Sequence, residues 1–373
     1  MPLYSLAPQW KTDLYNSAHG TLPAFDDSLI TSDLKEWDDF TIQLARSIKA
    51  GTRTSTNIVS TYSLVYTTNG MYWGGVLAPN GDIHFVPSSA NVGQKISAAG
   101  IVSTYALVNT QTAAYHGGVL ASNGEIHFVP RSASMGQKIS ITGVVSTYAL
   151  VGVGGYWGGV LAPNGDIQFS PASANRGQKV SSAGVVSTYA LIYTTTDAYQ
   201  GCVLAPNGEI YFVPYNAPVG QKISVAGVVS TYALAYTTTN AYSGGALSST
   251  GEIHFMPYSA TVGQKISLTG TLSTYALAYT TSGAYQGGVL SPNGDIHFVP
   301  QSATVGQKIS LSGTLSTYTL VNSSGTYGGG ILDTNGDIHF IPRSVGGVGQ
   351  KISTGAAKNL NLGTLLSPYL NRF

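Results

Sequence analysis

Acidic residues and histidines recur along this sequence at a spacing that could bind metal ions or support nucleophilic catalysis. Five acids are followed by a histidine two residues later, and in a strand this spacing places both side chains on one face. Serines occur close to these pairs, so a Ser-His-Asp hydrolase arrangement also has to be considered. The histidines are His84, His127, His254, His297 and His339.

The repetition of these pairs argues against both kinds of chemistry. Gln168 and Tyr211 stand at the equivalent position in two other segments, and one histidine per segment cannot complete a coordination sphere locally. The sequence has no G-x-S-x-G motif for a nucleophilic serine. We therefore predict histidines that form structural hydrogen bonds, no catalytic residue, no metal ligand and no cofactor, and we expect that the chain is not an enzyme.

Each of the seven segments also carries an acid and a lysine. A ring of functional charges is one interpretation, and a repeated ion pair between strands is the other, which the exchange of Asp for Glu favours. The acids are Asp82, Glu125, Asp166, Glu209, Glu252, Asp295 and Asp337. The lysines are Lys95, Lys138, Lys179, Lys222, Lys265, Lys308 and Lys351.

These segments belong to a tandem repeat of about 43 residues. The glycine of a Gly-Gln-Lys triplet falls at positions 93, 136, 177, 220, 263, 306 and 349. Each repeat contains four short strand patterns, and one of its turns holds Asn-Gly, a strong hairpin signal. Four strands in about 43 residues are typical of a propeller blade. The sequence thus predicts an all-β fold, a seven-bladed β-propeller over residues 58–353.

The two ends of the repeat array predict how the propeller closes. The first Ser-Thr-Tyr strand, near Ser60, precedes the first complete repeat, whereas the last Gly-Gln-Lys, at Gly349, has no such strand after it. We expect the strand at 58–66 to complete the last blade as its outermost strand. This exchange would remove an exposed sheet edge.

Residue changes between repeats concentrate in two connections, which a propeller places on the same face, here called the variable face. Length changes fall in the same connections. Loops on a rigid scaffold often carry binding residues, although neutral drift of exposed loops is the alternative. Aromatic, basic and amide side chains at these positions are the candidate ligand-binding residues, namely Trp73, His116, Trp157, Gln200, Arg131, Tyr215, Tyr258 and Arg343.

The overall composition excludes several classes of function. Charged residues make up 9% of the chain and the formal net charge is +1, so we expect no binding to nucleic acid. The longest apolar runs are too short for a membrane-spanning helix. The first residues lack a secretory signal, which predicts synthesis in a cytoplasm. Cys202, the single cysteine, cannot form an intramolecular disulfide.

The chain carries extensions on both sides of the repeats. Residues 1–57 form an N-terminal arm with an amphipathic helix predicted at about 33–49, and residues 354–373 form a C-terminal tail. We predict that both dock onto other proteins of an assembly; the alternative is that they fold back on their own propeller. The expected assembly contacts are Tyr4, Trp10, Leu34, Trp37, Phe40, Leu44, Tyr369 and Phe373.

The phrase GGVLAPNGDIHFVP at residues 74–87 resembles repeats of virion-associated proteins of tailed phages, especially marine ones. The resemblance covers residues 58–353 and implies a structural or adhesive protein of a virus particle, in the capsid or the tail, bound to other virion proteins through the arm and tail. The repeats are also similar in rhythm to the blades of propeller lectins. Binding of glycans on a host surface is therefore the alternative function.

Overall fold

The repeats fold into seven four-stranded antiparallel sheets, seen in a computed structural model that describes residues 57–344 and 348–354. No helix occurs within these two ranges. Accordingly, none of these residues belongs to a helix that could cross a membrane. The predicted arm helix, the tail and all eight predicted assembly contacts lie outside the described residues.

Each sheet has one strand of each of four types, numbered here in chain order from β1 to β28. The first strands are β2 (Tyr72–Leu77), β6 (Tyr115–Leu120), β10 (Tyr156–Leu161), β14 (Tyr199–Leu204), β18 (Tyr242–Leu247), β22 (Tyr285–Leu290) and β26 (Thr326–Leu332). The second strands are β3 (Ile83–Pro87), β7 (Ile126–Pro130), β11 (Ile167–Pro171), β15 (Ile210–Pro214), β19 (Ile253–Pro257), β23 (Ile296–Pro300) and β27 (Asp337–Ser344). The third strands are β4 (Val92–Ile96), β8 (Met135–Ile139), β12 (Arg176–Val180), β16 (Val219–Ile223), β20 (Val262–Ile266), β24 (Val305–Ile309) and β28 (Val348–Ser353). The fourth strands are β1 (Ile58–Ser63), β5 (Val102–Ala106), β9 (Val145–Ala149), β13 (Val186–Ala190), β17 (Val229–Ala233), β21 (Leu272–Ala276) and β25 (Leu315–Thr319).

The first strands pack against one another in a closed circle, in which β2 contacts both β6 and β26. The seven sheets are therefore the blades of a propeller, with the first strands nearest the axis. This confirms the predicted all-β, seven-bladed architecture. Blade 1 begins at β2, and blade 7 begins at β26.

The closing strand lies where the sequence predicts it. β1 pairs antiparallel with β28, with Ile58 opposite Ser353 and Ser63 opposite Val348. The sheet order of blade 7 is thus β26, β27, β28 and β1, so its outermost strand comes from the other end of the array.

A tyrosine and a phenylalanine form the core of each blade. In blade 1 the ring centroids of Tyr72 and Phe85 lie 5.4 Å apart, and both side chains are fully buried. Burial of one such ring contributes about 2 kcal/mol to folding. The Tyr72 hydroxyl donates a hydrogen bond to the carbonyl oxygen of Val92 at 3.0 Å, which satisfies its polar end and ties β2 to β4.

A buried glutamine joins each blade to the connection that precedes it. Oε1 of Gln94 accepts hydrogen bonds from the backbone N–H groups of Val65 and Tyr66, at 3.0 and 2.8 Å. Gln137 accepts the equivalent pair from Val108 and Asn109. The sequence analysis used this glutamine only as a marker of the repeat. Its structural role is to accept hydrogen bonds from the backbone N–H groups of a connection that has no strand partner of its own.

Candidate functional site

The repeated acids and lysines form ion pairs within their own blades. Lys95 Nζ lies 2.7 Å from Asp82 Oδ2, and each of the other six blades has the same pair, at 2.7 to 2.8 Å. This agrees with the interpretation as ion pairs between strands. The lysine side chains remain partly exposed, so each pair contributes only modestly to stability.

The repeated histidines are buried structural residues. Nδ1 of His84 lies 3.2 Å from the Tyr105 hydroxyl oxygen, and three other blades repeat this contact. In blade 7, His339 instead faces Asp333, at 3.1 Å from Nε2 to Oδ2. Burial lowers the pKa of His84 to about 4, so this imidazole is neutral at pH 7. Residues 57–344 and 348–354 contain no group of three or more His, Cys, Asp or Glu side chains placed to hold a metal ion.

A bulge in every first strand directs one variable side chain towards the axis. In blade 1, Tyr72 pairs with Pro87 and Gly75 with Phe85, which leaves two residues of β2 opposite one residue of β3. Gly74 in this bulge has a φ of +85°, which a residue with a side chain rarely adopts. The residue before this glycine belongs to what we call the inner ring. Its members are Trp73, His116, Trp157, Gln200, Ser243, Gln286 and Gly328.

One side of the inner ring is aromatic. The rings of Trp73 and His116 are stacked, with centroids 4.4 Å apart and planes inclined by 20°. Trp157 packs edge-on against both of them. Gly328 completes this side, since a β-carbon there would lie 3.0 Å from Cα of Trp73.

The other side of the inner ring consists of amides and a hydroxyl. The Ser243 hydroxyl donates to Oε1 of Gln200 at 2.9 Å and accepts from Nε2 of Gln286 at 2.6 Å. These bonds connect three consecutive blades. The inner ring is thus divided into an aromatic sector and an amide sector, although its scaffold repeats in every blade.

A second set of side chains surrounds the inner ring, at the position after the proline of each second strand. We call this set the outer ring. It consists of Ser88, Arg131, Ala172, Tyr215, Tyr258, Gln301 and Arg343.

The outer ring follows the same division into sectors. On the aromatic side, the guanidinium carbon of Arg343 lies 4.1 Å from the centroid of the Trp73 ring, and that of Arg131 lies 5.6 Å from the Trp157 ring. On the amide side, Tyr258 packs edge-on against Tyr215 and accepts a hydrogen bond from Gln301 at 3.3 Å.

Between the rings and the axis lies a cavity of about 110 Å³. The glycines of all seven first strands line it, together with Trp73, Trp157, Gln200 and Gln286. Pockets that enclose a whole drug-sized ligand usually measure about 300 to 1,000 Å³. This cavity can therefore receive one end of a ligand, while the rest of the ligand would lie across the rings.

Four buried polar atoms of the two rings have no hydrogen-bond partner among the residues that the structure describes. They are Nε1 of Trp73, Nδ1 of His116, Oε1 of Gln286 and Oε1 of Gln301. Unpartnered buried atoms also occur at repeated positions of the blades, but these four lie on the variable face. A buried donor or acceptor without a partner costs about 1 to 3 kcal/mol, which a polar ligand could recover.

His116 is the histidine of this site. Its Nε2 lies 3.1 Å from the Ser88 hydroxyl oxygen. Burial, followed by the charges of Arg131 and Arg343, lowers the pKa of His116 to about 3. The imidazole is therefore neutral at pH 7 and acts as a hydrogen-bonding group of the cluster.

The structure brings all eight predicted ligand-binding residues together on the two rings. Trp73 does not offer a free aromatic face, because His116 covers one side and Arg343 lies over its ring. Trp157, Tyr215 and Tyr258 remain partly accessible. The candidate residues omitted Asp197, whose Oδ1 lies 3.1 Å from Arg131. An acid outside the repeated acid position was the signal that could have identified it.

Comparison with solved structures finds the same fold in proteins of low sequence identity. A streptogramin B lyase aligns with a TM-score of 0.71 and 18% identity, over 81% of this chain and 99% of the lyase chain. The virginiamycin B lyase of Staphylococcus aureus aligns with a TM-score of 0.71 and 16% identity, over 80% and 99%. The extracellular domain of a protein from B. thetaiotaomicron aligns with a TM-score of 0.59 and 12% identity, over 82% of this chain and 44% of the other. No protein-family model and no curated protein matches the sequence.

The prediction that the chain is not an enzyme was wrong in its premise, which took a repeated propeller to be a scaffold without chemistry. The lyases have the same fold and are enzymes. At 16 to 18% identity, the likeness shows the fold alone. The physical error was to judge the site from residues common to all blades, whereas the two rings differ from blade to blade.

Proposed function

We propose that this protein binds a glycan through the two rings of the variable face and carries its propeller on a virus particle. The observation that supports binding is the convergence, around the axis, of thirteen side chains and one glycine whose types vary from blade to blade, on a scaffold that repeats sevenfold. Residues required only by the blade architecture would be the same in each blade. Differences concentrated around the axis on one face are expected where one ligand is bound by the whole ring.

The chemistry of the two sectors suits a sugar. The partly accessible ring of Trp157 can pack against the apolar face of a pyranose, and such contacts provide area at little cost in rotamer entropy. On the opposite side, Gln286 and Gln301 each present an unpartnered buried amide oxygen, which can accept a hydrogen bond from a sugar hydroxyl. The small cavity favours a terminal sugar of a longer chain.

The proposal of a virus particle is supported by the sequence. It rests on the resemblance of residues 58–353 to repeats of virion-associated phage proteins and on the apolar residues of the arm and tail. A mass-spectrometric inventory of purified particles of the virus that encodes the chain tests it directly. Absence of the chain from those particles would contradict the proposed place in a virus particle, but it would not bear on the proposed glycan binding.

Glycan binding is tested with a glycan array probed by the labelled full-length protein and two variants, Trp157→Ala and Tyr258→Ala. We expect each variant to lose at least tenfold in apparent affinity, because each removes a contact surface from one sector. Ile141→Ala is the matched control, since this residue is exposed in the turn between β8 and β9 on the opposite face. Binding that is unchanged in both ring variants but reduced in the control would show that the site lies on the opposite face, and it would contradict the proposal.

A further inference from the structure

Arg343 is the one side chain of the two rings whose charge has no opposite charge beside it within the described residues. The nine acids of residues 57–344 and 348–354 are engaged elsewhere: seven pair with the blade lysines, Asp333 faces His339, and Asp197 pairs with Arg131. Since His116 is neutral, Arg131, Arg343 and Asp197 give the rings a net charge of +1.

The backbone holds Arg343 in a fixed position. Arg343 lies near the end of β27, and its carbonyl oxygen accepts a hydrogen bond from the N–H of Gly70 at 2.9 Å. The next residue, Ser344, donates its hydroxyl to Oδ1 of Asn69 at 2.6 Å. The guanidinium group then lies over the Trp73 ring, and Trp73 itself lines the axial cavity. Its position is thus set before any ligand arrives.

Stacking on Trp73 compensates only part of the cost of this charge. A cation over an aromatic ring gains only a modest electrostatic stabilisation. Burial lowers the pKa of Arg343, which shows that the charged form has lost solvation. A guanidinium group stacked on a ring still has N–H groups at its edge, and these match the two oxygens of a carboxylate or phosphate.

We infer that the rings select an acidic sugar, with Arg343 binding its carboxylate or phosphate group and Trp157 with the amide sector contacting the rest of the sugar. This inference rests on the proposed glycan-binding function and adds the charge of the ligand. Arg131 is less suited to the same task because Asp197 already neutralises it.

Tryptophan fluorescence provides the test, since Trp73 and Trp157 both lie at the site. The full chain is titrated with glucuronic acid, glucose 6-phosphate and glucose. We expect the acidic sugars to bind at least tenfold more tightly than glucose, and we expect this difference to shrink as salt is raised. The acidic sugar that binds more tightly identifies the oxyanion that the site prefers.

Substitutions at Arg343 complete the test. Arg343→Gln should abolish the preference for acidic sugars, and Arg343→Lys should retain part of it, because lysine keeps the charge but not the two-pronged geometry. Arg176→Gln is the control: it removes the same charge from an exposed residue of β12 and should leave the preference unchanged. Melting curves of all variants check that the propeller remains folded.

The outcomes separate this inference from the proposed function. Equal binding of glucose and the acidic sugars, or a preference that persists in Arg343→Gln, would overturn the inference while glycan binding stands. If no sugar changes the fluorescence and the array gives no signal that depends on Trp157, the proposed function itself fails.

Discussion

A β-carbon added to Gly117 would lie 2.9 Å from the Cα atom of Gly158, the equivalent glycine of the next blade. Similar close approaches link Gly158 to Gly201 and Gly201 to Gly244, at 3.2 and 3.0 Å. The first strands therefore pack backbone to backbone around the axis. This packing keeps the cavity small and brings the inner-ring side chains within contact distance of one another.

Substitution of Gly117 by Ala tests how much this packing contributes. Gly287 holds the same position in blade 6 and has a similar φ, +87° against +83°, but a β-carbon there would meet no atom within 4 Å. Both substitutions incur the cost of a positive φ, about 1 kcal/mol. Only Gly117→Ala adds a steric conflict, about 1 to 3 kcal/mol.

Urea denaturation of the two alanine variants measures this difference. We expect Gly117→Ala to have the lower free energy of unfolding by about 1 to 3 kcal/mol. If both variants lost the same free energy of unfolding, the first strands could move apart without cost. The close approach at the axis would then contribute nothing to stability.

Deletion of residues 57–66 should open the ring. Without β1, β28 keeps β27 on one side but loses its partner strand on the other, and an unpaired edge of this kind promotes association between molecules. We expect oligomers in size-exclusion chromatography and a melting temperature lowered by about 10 °C.

A truncation that removes residues 1–56 and retains β1 is the control for this deletion. We expect this control to keep the melting temperature of the full chain. If the 57–66 deletion stayed monomeric and melted at the original temperature, the closing strand would be dispensable for the ring.

The stability of the propeller should fall as the pH is lowered from about 6.5 towards 4. In the folded protein the pKa of His84 is about 4, because its burial disfavours the charged form. Between these pH values the unfolded chain binds a proton that the folded chain excludes, so acid favours unfolding. Each such histidine contributes up to about 1.4 kcal/mol per pH unit over this window.

The variant His84→Gln isolates this contribution, and Gln168 at the equivalent position of blade 3 shows that glutamine fits there. We expect a shallower dependence of the free energy of unfolding on pH, measured by denaturation at pH 7, 6 and 5. The Asp82–Lys95 pair beside it is present in both proteins, so its contribution to the pH dependence of stability is the same in both. An unchanged slope would show that His84 takes up its proton in the folded state.

Features that depend on the period of the sequence could be predicted. The spacing of Gly93 and its equivalents defined the blades, and the position of Ser60 before the first complete repeat defined the closure. The rings could be predicted in outline because their residues change where the rest of the repeat is constant. Only the folded structure shows that these positions lie around the axis.

Contacts between blades could not be predicted in the same way. The positions of Arg343 over Trp73 and of Arg131 beside Asp197 depend on the bulge that turns each inner-ring residue towards its neighbours. In the sequence, the Gly-Gly pair indicates only that small residues are needed. It does not indicate that the first glycine has a positive φ or that the residue before it contacts side chains of adjacent blades.

The pairing of Ile58 with Ser353 also has a consequence for the time at which the protein can close. On a ribosome, β1 is made before any other strand of the propeller, but its partner β28 follows about 300 residues later. At about 5 to 20 residues per second, this delay amounts to roughly 15 to 60 s. During that time β1 has no sheet to join, and blades 1 to 6 stand as an open arc. Closure therefore cannot precede the synthesis of β28, and neighbouring chains on one messenger RNA have time to exchange their first strands.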